Sequence, residues 1–446
     1  MNFSKLNSIL NTPLIIKLLQ FSIFILIVFF SKWLSGINDI PVSLDEIAWM
    51  NDSRVYEERN NKNWDYFKWQ AHQPIGSWSS ADFRLFDQPH LVKYIYGFAL
   101  SNSNLYPWSG DLYDRNNQLF LRQSLPDDLS LGTLESKKML GVEVDEALQI
   151  SRKISVVFSL LFFIVLFLFL LNISSFIHSA LTTFLLMNSQ VFLYNLRVAT
   201  SDSVSVLFVL CCVILVYKLF WNIENLSNKK SFLFTYLLAI SSAFAASTKI
   251  NGWFLIPLIL VFFTIKAILS NHVSIYKNVV LQRFILFSLI FIGTYWYLQP
   301  ELWNFGFSGL MRFFSQRVIQ HQKFVFSFGS FNIFEFHPWI FGLVFNSSFF
   351  NSTLKQLVFL LGGLGGLLGV IFKNRNTMIF GKIVLISIWV WVSVFFYARV
   401  GFDRYGIWLV TLLVIFLAYG WTRLFYKIFG LVKKNINTLI LKVVKL

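Results

Sequence analysis

The chain has 446 residues, of which 56% are hydrophobic and only 13% charged, with a mean hydropathy of +0.61 and a formal net charge of +16. Soluble domains carry about a quarter charged residues, so a soluble globular protein is excluded and the bilayer is the solvent to which most of the sequence is matched. Basicity of this size in such a chain reflects membrane orientation and anionic lipid; readers of nucleic acid carry basic clusters on a soluble surface, and nucleic acid is not an expected partner.

Apolar runs long enough to cross the hydrocarbon, roughly 20 residues each, fall near 14–35, 153–172, 175–195, 203–221, 232–248, 252–269, 284–299, 354–372, 378–397 and 405–425. They predict an all-α polytopic bundle of about ten transmembrane helices. The first run follows Lys5 and Lys17 and precedes SKWLSGIND, without a small-residue cleavage site, so it reads as a retained anchor with its N-terminus inside. Residues 36–150 form a long insert with 17 acidic against 10 basic residues, which leaves +23 for the rest of the chain. That remainder puts Lys229, Lys230, Lys266, Lys277, Arg283, Lys373, Arg375 and a tail from Arg423 to Lys445 in the segments that an N-in path makes cytoplasmic. The expected division is one integral-membrane unit over 1–446: a first transmembrane helix at 14–35, an extracytoplasmic loop of short interfacial helices at 36–150, a bundle at 151–425 and a basic cytoplasmic tail at 426–446. Both termini are cytoplasmic on this path, in a cell membrane or, in a eukaryote, the endoplasmic reticulum.

Cys211 and Cys212 are adjacent in one predicted span, so neither a disulfide framework nor a cysteine metal site is expected. GGLGGLLG at 362–369 lies in an apolar run and reads as close helix packing rather than a phosphate loop. His72 and His90 are too loosely spaced to argue for zinc.

Alternating the helices leaves a coherent set of charges on the extracytoplasmic side: Asp45, Glu46, Asp87, His90 and Lys93 in the insert, Arg197 and Asp202 after the third span, Lys249 after the fifth, Glu301, Arg312, Arg317, His321 and Lys323 after the seventh, and Arg399, Asp403 and Arg404 before the last. Cations there run against the orientation rule, so they mark helix ends or line a polar cavity. Carboxylates with cations at a membrane surface suit transfer of a group from a lipid phosphate, which needs a base for the acceptor and cations for the departing phosphate. Trp49, Trp64, Tyr66, Trp69, Trp78, Tyr94 and Tyr96 fit stacking on sugar faces and an interfacial aromatic belt equally well.

Several stretches, in order, resemble a known family. PVSLDEIAW, with Asp45 and Glu46, is similar to the Asp-Glu motif that opens the first external loop of GT-C-fold glycosyltransferases of the protein O-mannosyltransferase and aminoarabinose-transferase-like superfamily. FDQPHLVKYIYG resembles that family's Phe-Asp-x-His-Pro-Pro-Leu-x-Lys segment at Asp87, Pro89, Leu91 and Lys93, with Gln88 and His90 in place of His and the second Pro. SRKISVVFSLL is similar to an Arg-rich start of the second span, LRVATSDSVSVLFV to an Arg-x4-Asp element at Arg197 and Asp202, and STKINGWFLIP to a Thr-Lys-x-x-Gly turn at Lys249 and Gly252. QPELWNFGFSGLMRFFSQRVIQHQ resembles a Pro-x-x-Trp loop with Arg317 and Gln322, and FDRYGIWLV an Arg-Tyr pair at Arg404 and Tyr405.

The resemblance implies a GT-C-like bundle with a catalytic first loop, acting as a hexosyl- or pentosyltransferase by inverting displacement. The donor would be a polyprenyl- or dolichyl-phosphate sugar, and the acceptor a protein, lipid or glycan. Asp45 and Glu46 compete for the base role, together with Asp87, whose plain reading is an N-cap for the helix beginning near His90. Arg404, Arg317, Lys249, Arg197 and Lys93 would hold the donor phosphate, and Asp87, His90, Asp202 and Tyr405 would line the acceptor and sugar pocket. No cofactor and no metal is expected, because fixed cations can stabilise the leaving phosphate. A transporter or flippase of lipid-linked saccharides would also need such cations, but would place charges near the midplane rather than at one face. An inactive scaffolding relative is the third reading.

Overall fold

The computed structural model describes Gln20 and residues 22–28, 36–37, 40, 46, 49–50, 52–53, 55–64, 89–103, 142–221, 228–249, 252–253, 255–269, 274–300, 302–303, 308, 311, 315, 361–363 and 407–443. Among them there is no strand. The helices with defined bounds are α1 Val55–Asn60, α2 Leu91–Asn102, α3 Val142–Ile173, α4 Phe176–Met187, α5 Gln190–Asn195, α6 Asp202–Trp221, α7 Asn228–Thr248, α8 Leu255–Leu269, α9 Ser274–Leu298 and α10 Ile407–Val443. Among the described residues, five stretches are long and apolar enough to cross a membrane: Glu146–Ile173, Asp202–Leu219, Lys229–Thr248, Val279–Leu298 and Val410–Leu431. Of the other expected spans, the first is helical at 22–28, the sixth is the shorter α8, the eighth is described only at 361–363, and the ninth lies outside the described residues.

The third expected span, 175–195, is not one helix. α4 ends at Met187, and the chain restarts as α5 after Asn188 and Ser189. Asn188 turns its side-chain amide onto the Phe184 carbonyl, 2.8 Å away, the local competition with the ladder that makes Asn and Ser weak in helix interiors. α3 runs the other way: at about 1.5 Å per residue its 32 residues extend well past a hydrocarbon layer of about 30 Å. The surplus lies at its acidic and basic start, around Glu146 and Arg152. α10 carries on through Arg423 and Lys427 to Val443 with no proline to stop it, so the basic tail continues the last helix.

α3, α4, α5, α6 and the start of α10 share one apolar core with Phe24 and Val28 of the first helix. α6, α7, α8 and α9 share a second. Between lipid-solvated helices the gain comes from close contact rather than water release, and small residues permit it. Ala239, Ser242, Ala243 and Ala246 are buried on α7, facing a core that includes Cys212 of α6. The expected packing role of the glycine-rich run holds at Gly363, whose backbone meets Gly420 of α10 so closely that a Cβ on Gly420 would overlap its carbonyl.

α7 and α9 run parallel: Arg283 near the start of α9 stacks on Phe232 near the start of α7, and Trp253, just past α7, packs on Tyr295 near the end of α9. One end of the bundle therefore gathers the start of α3, the 196–202 turn, the end of α7 and the end of α9. The insert sits on that end, where Trp49, Met50, Val92, Tyr96 and Leu100 form a third core with Ala147, Leu148, Ala199 and Val204. Gly97 makes this seating possible, since a Cβ there would overlap the Ser53 carbonyl and Tyr56 Cβ.

Candidate functional site: two buried ion pairs under the first loop

Glu46 is completely buried. Arg152 grips it as a fork, Nε to Oε1 at 2.8 Å and Nη2 to Oε2 at 2.7 Å, and the Ala199 amide donates to Oε1 at 2.7 Å. The remaining arm of Arg152, Nη1, donates to the carbonyls of Ile37 and Ile40 at 2.8 and 3.0 Å. The guanidinium thus ties the segment leaving the first helix to α3, and the Glu46 carboxylate ties it to the 196–202 turn, with donors and acceptors matched on both sides. The chain is pinned at the residue next to Asp45.

The second pair lies at the other side of that turn. Lys249 donates to Oδ1 of Asp202 at 2.5 Å, and the Thr200 hydroxyl donates to Oδ2 at 3.2 Å. Asp202 opens α6, where the helix dipole favours a negative charge. Lys249 leaves the end of α7 in a turn closed by the Gly252 amide on the Lys249 carbonyl, 2.8 Å. Tyr96 of α2 joins the two pairs. Its hydroxyl donates to the Thr200 carbonyl at 2.8 Å, so Ser155 of α3, 2.7 Å away, donates to Tyr96. Burial pushes the Tyr96 hydroxyl well above the ordinary phenol range, opposed by the Ser155 bond and reinforced by the charges of Glu46 and Asp202, and it stays protonated and donating.

Lys93, one turn before Tyr96, is fully buried with Asp52 at 3.8 Å. His90 is also fully buried, 3.5 Å from the Tyr94 hydroxyl. His90, not Asp87, occupies the N-cap position of α2 and makes no side-chain cap bond. Arg197 is buried at the same end. At the rim, Arg59 of α1 donates to the Tyr297 carbonyl at 3.2 Å and lies over the rings of Tyr94, Tyr297 and Trp303 at 4.8, 4.4 and 5.9 Å.

Of the residues expected from sequence, Glu46, Lys93, His90, Arg197, Asp202 and Lys249 therefore gather at one end of the bundle; Asp45, Asp87, Arg317, Arg404 and Tyr405 lie outside the described residues. Sequence reading passed over Arg152 as an individual residue, and over Asp52, Thr200 and Arg59; it read Tyr96 as a sugar-stacking or interfacial-belt ring, not as a hydrogen-bonding group. Arg152, Ser155 and Ser159 recur at helical spacing on one buried face of α3, a polar stripe that runs into the apolar part of the helix and marks this contact. Among the described residues no three His, Cys, Asp or Glu side chains group as metal ligands.

No protein-family model matches the chain, and no curated protein matches it. Similar solved structures are those of the archaeal oligosaccharyltransferase AglB from Archaeoglobus fulgidus. In complex with an inhibitory peptide and a dolichol-phosphate, it matches with a TM-score of 0.47 at 12% identity over 95% of this chain and 52% of that one. The Archaeoglobus fulgidus enzyme tethered to an acceptor peptide gives 0.45 at 14% over 92% and 50%, and its complex with Zn and sulfate 0.42 at 11% over 87% and 46%. The chain spans about half the length of these structures.

Proposed function

We propose that the protein is an integral-membrane glycosyltransferase that moves a sugar from a polyprenyl- or dolichyl-phosphate carrier to an acceptor by single inverting displacement. One observation carries the reading: segments from four distant parts of the chain, at Glu46, Arg152, Ala199 to Asp202 and Lys249, meet under the first loop in charge-complementary contact. Four of the seven family-like stretches lie in these segments.

Both oxygens of Glu46 are engaged, so Glu46 acts as a positioning residue and its neighbour Asp45 is the base that takes the acceptor proton. As the acceptor oxygen attacks the anomeric carbon, the bond to the carrier phosphate breaks and its electrons leave with the phosphate. Arg404, Arg317, Arg197 and Lys249 stabilise that charge as fixed cations, Lys249 kept in place by Asp202 until the donor arrives. Lys93 orders the loop from beneath through Asp52, and Asp87, His90 and Tyr405 belong to the sugar and acceptor pocket. No metal or cofactor enters this mechanism.

The test is release of sugar from a panel of radiolabelled polyprenyl-phosphate sugars by the purified protein in lipid, with and without chelator. Asp45→Asn is expected to lower turnover about 10²- to 10⁴-fold with insertion unchanged, and chelator to have no effect. An unaltered rate in Asp45→Asn removes the base assignment; binding or flipping without release in the wild type removes the transferase reading.

A further inference from the structure

We propose that the end of the bundle remote from this site holds the phosphate of an anionic lipid between α7 and α9, with Arg283 as its principal ligand. Arg283 is 2% exposed, on the buried face of α9 that also carries Val280 and Phe287. Its guanidinium lies over the Phe232 ring of α7 at 4.7 Å, yet Nε and Nη1 have no hydrogen-bond partner. A buried cation without a counter-charge is costly, and proteins pair such groups or bind an anion to them. Among the described residues none supplies a pair: every described acidic residue lies in the first loop, on the first turns of α3 or at the start of α6, all at the other end. The described charges at this end are cationic, with Lys229 and Lys230 exposed at the start of α7 and Lys218 at the end of α6.

The surroundings choose a lipid over a soluble anion. The outer faces beside this basic end are apolar and open: Leu233 and Tyr236 on α7, and Leu281, Ile285 and Leu289 on α9, are all between 47% and 65% exposed. Acyl chains lie along those faces while a phosphate at headgroup level reaches the start of the span Val279–Leu298, where Arg283 sits.

The experiment uses the full-length protein in nanodiscs of phosphatidylcholine with rising fractions of phosphatidylglycerol. The wild-type Tm is expected to rise with phosphatidylglycerol, and the rise to persist at high salt, because a buried pair is little screened. Arg283→Met is expected to lose most of the rise, to retain phosphatidylglycerol about fivefold less in native mass spectrometry, and to be no less stable than wild type in pure phosphatidylcholine. An equal rise in the variant overturns the proposal. So does a wild-type rise that vanishes at high salt, which assigns it to surface lysines and decides the matter even if Arg283→Met fails to fold. A rise reproduced by inorganic phosphate in pure phosphatidylcholine moves the site to a soluble anion.

Discussion

The two ends of the bundle handle charge in opposite ways. Under the first loop cations meet carboxylates: Arg152 with Glu46, Lys249 with Asp202, Lys93 with Asp52. At the far end cations meet aromatic groups: Arg283 over Phe232, Lys218 over Phe234, and Arg423 over Tyr419, whose hydroxyl it also reaches at 2.9 Å. The first arrangement fixes backbone segments in a defined geometry, because a bidentate pair has one good orientation. The second sets cations on ring faces, which attract charge but have no single bidentate orientation. Fixed geometry thus sits under the first loop, and cations beside rings, with no carboxylate described among them, sit at the other end.

The same kind of substitution therefore has different consequences at the two ends. Arg152→Met leaves Glu46 buried without its partner and is expected to cost about 3–5 kcal/mol, seen as a large fall in Tm in nanodiscs; Arg152→Met with Glu46→Leu should recover much of that loss. If the single change is silent while Arg283→Met destabilises strongly, the contrast between the ends is reversed. Lys249→Met is expected to cost less, about 1.5–3 kcal/mol, since Asp202 keeps the Thr200 bond and the start of α6; a cost equal to that of Arg152→Met would mean those supports count for nothing. Gly97→Ala drives a methyl into the Ser53 carbonyl and should cost about 1–3 kcal/mol by lifting α2 from α1. Protease cleavage in the 53–60 segment would report that lifting without any activity assay.

Much of this contrast was legible before the structure. Hydropathy placed the long helices, because a span of about 20 apolar residues has few alternative readings. The gathering of charge in the insert was legible too, since 17 acidic residues fall in 36–150 and Glu46, Lys93 and His90 from it meet Arg197, Asp202 and Lys249 at one end of the bundle. The break at Asn188 and Ser189 was hidden, as hydropathy averages over two polar residues while the backbone responds to each. Partnership was hidden for a different reason: 106 residues separate Glu46 from Arg152, and 47 separate Asp202 from Lys249. A pattern of residue types says that such groups share a face of the membrane, but not which carboxylate takes which cation. Glu46 illustrates the cost, for in sequence it is indistinguishable from Asp45 beside it, and only its contacts give it a holding role.

The smallest predicted effect concerns the rim. Arg59 joins α1 to the end of α9 by one backbone bond and the rings of Tyr297 and Trp303, with Tyr94 of α2 as a third ring, and Trp64 adds a tilted contact on Trp303 at 5.1 Å. Trp303 in turn donates to the Trp296 carbonyl at 2.7 Å, so the platform under Arg59 is held by α9 itself. Because Tyr297 is 63% exposed, the cation there is partly hydrated, and Arg59→Ala should cost only about 0.5–1 kcal/mol. Arg59→Lys keeps the charge but loses the planar stack, so it should recover less than half of that amount. Full recovery by Lys would make the contact a matter of charge alone, and the rim would then resemble the far end of the bundle rather than the locked pairs beneath it. The measurement that separates these outcomes is hydrogen exchange of the α1 amides, which report seating of the loop even where a change of this size is lost in the Tm of the whole protein.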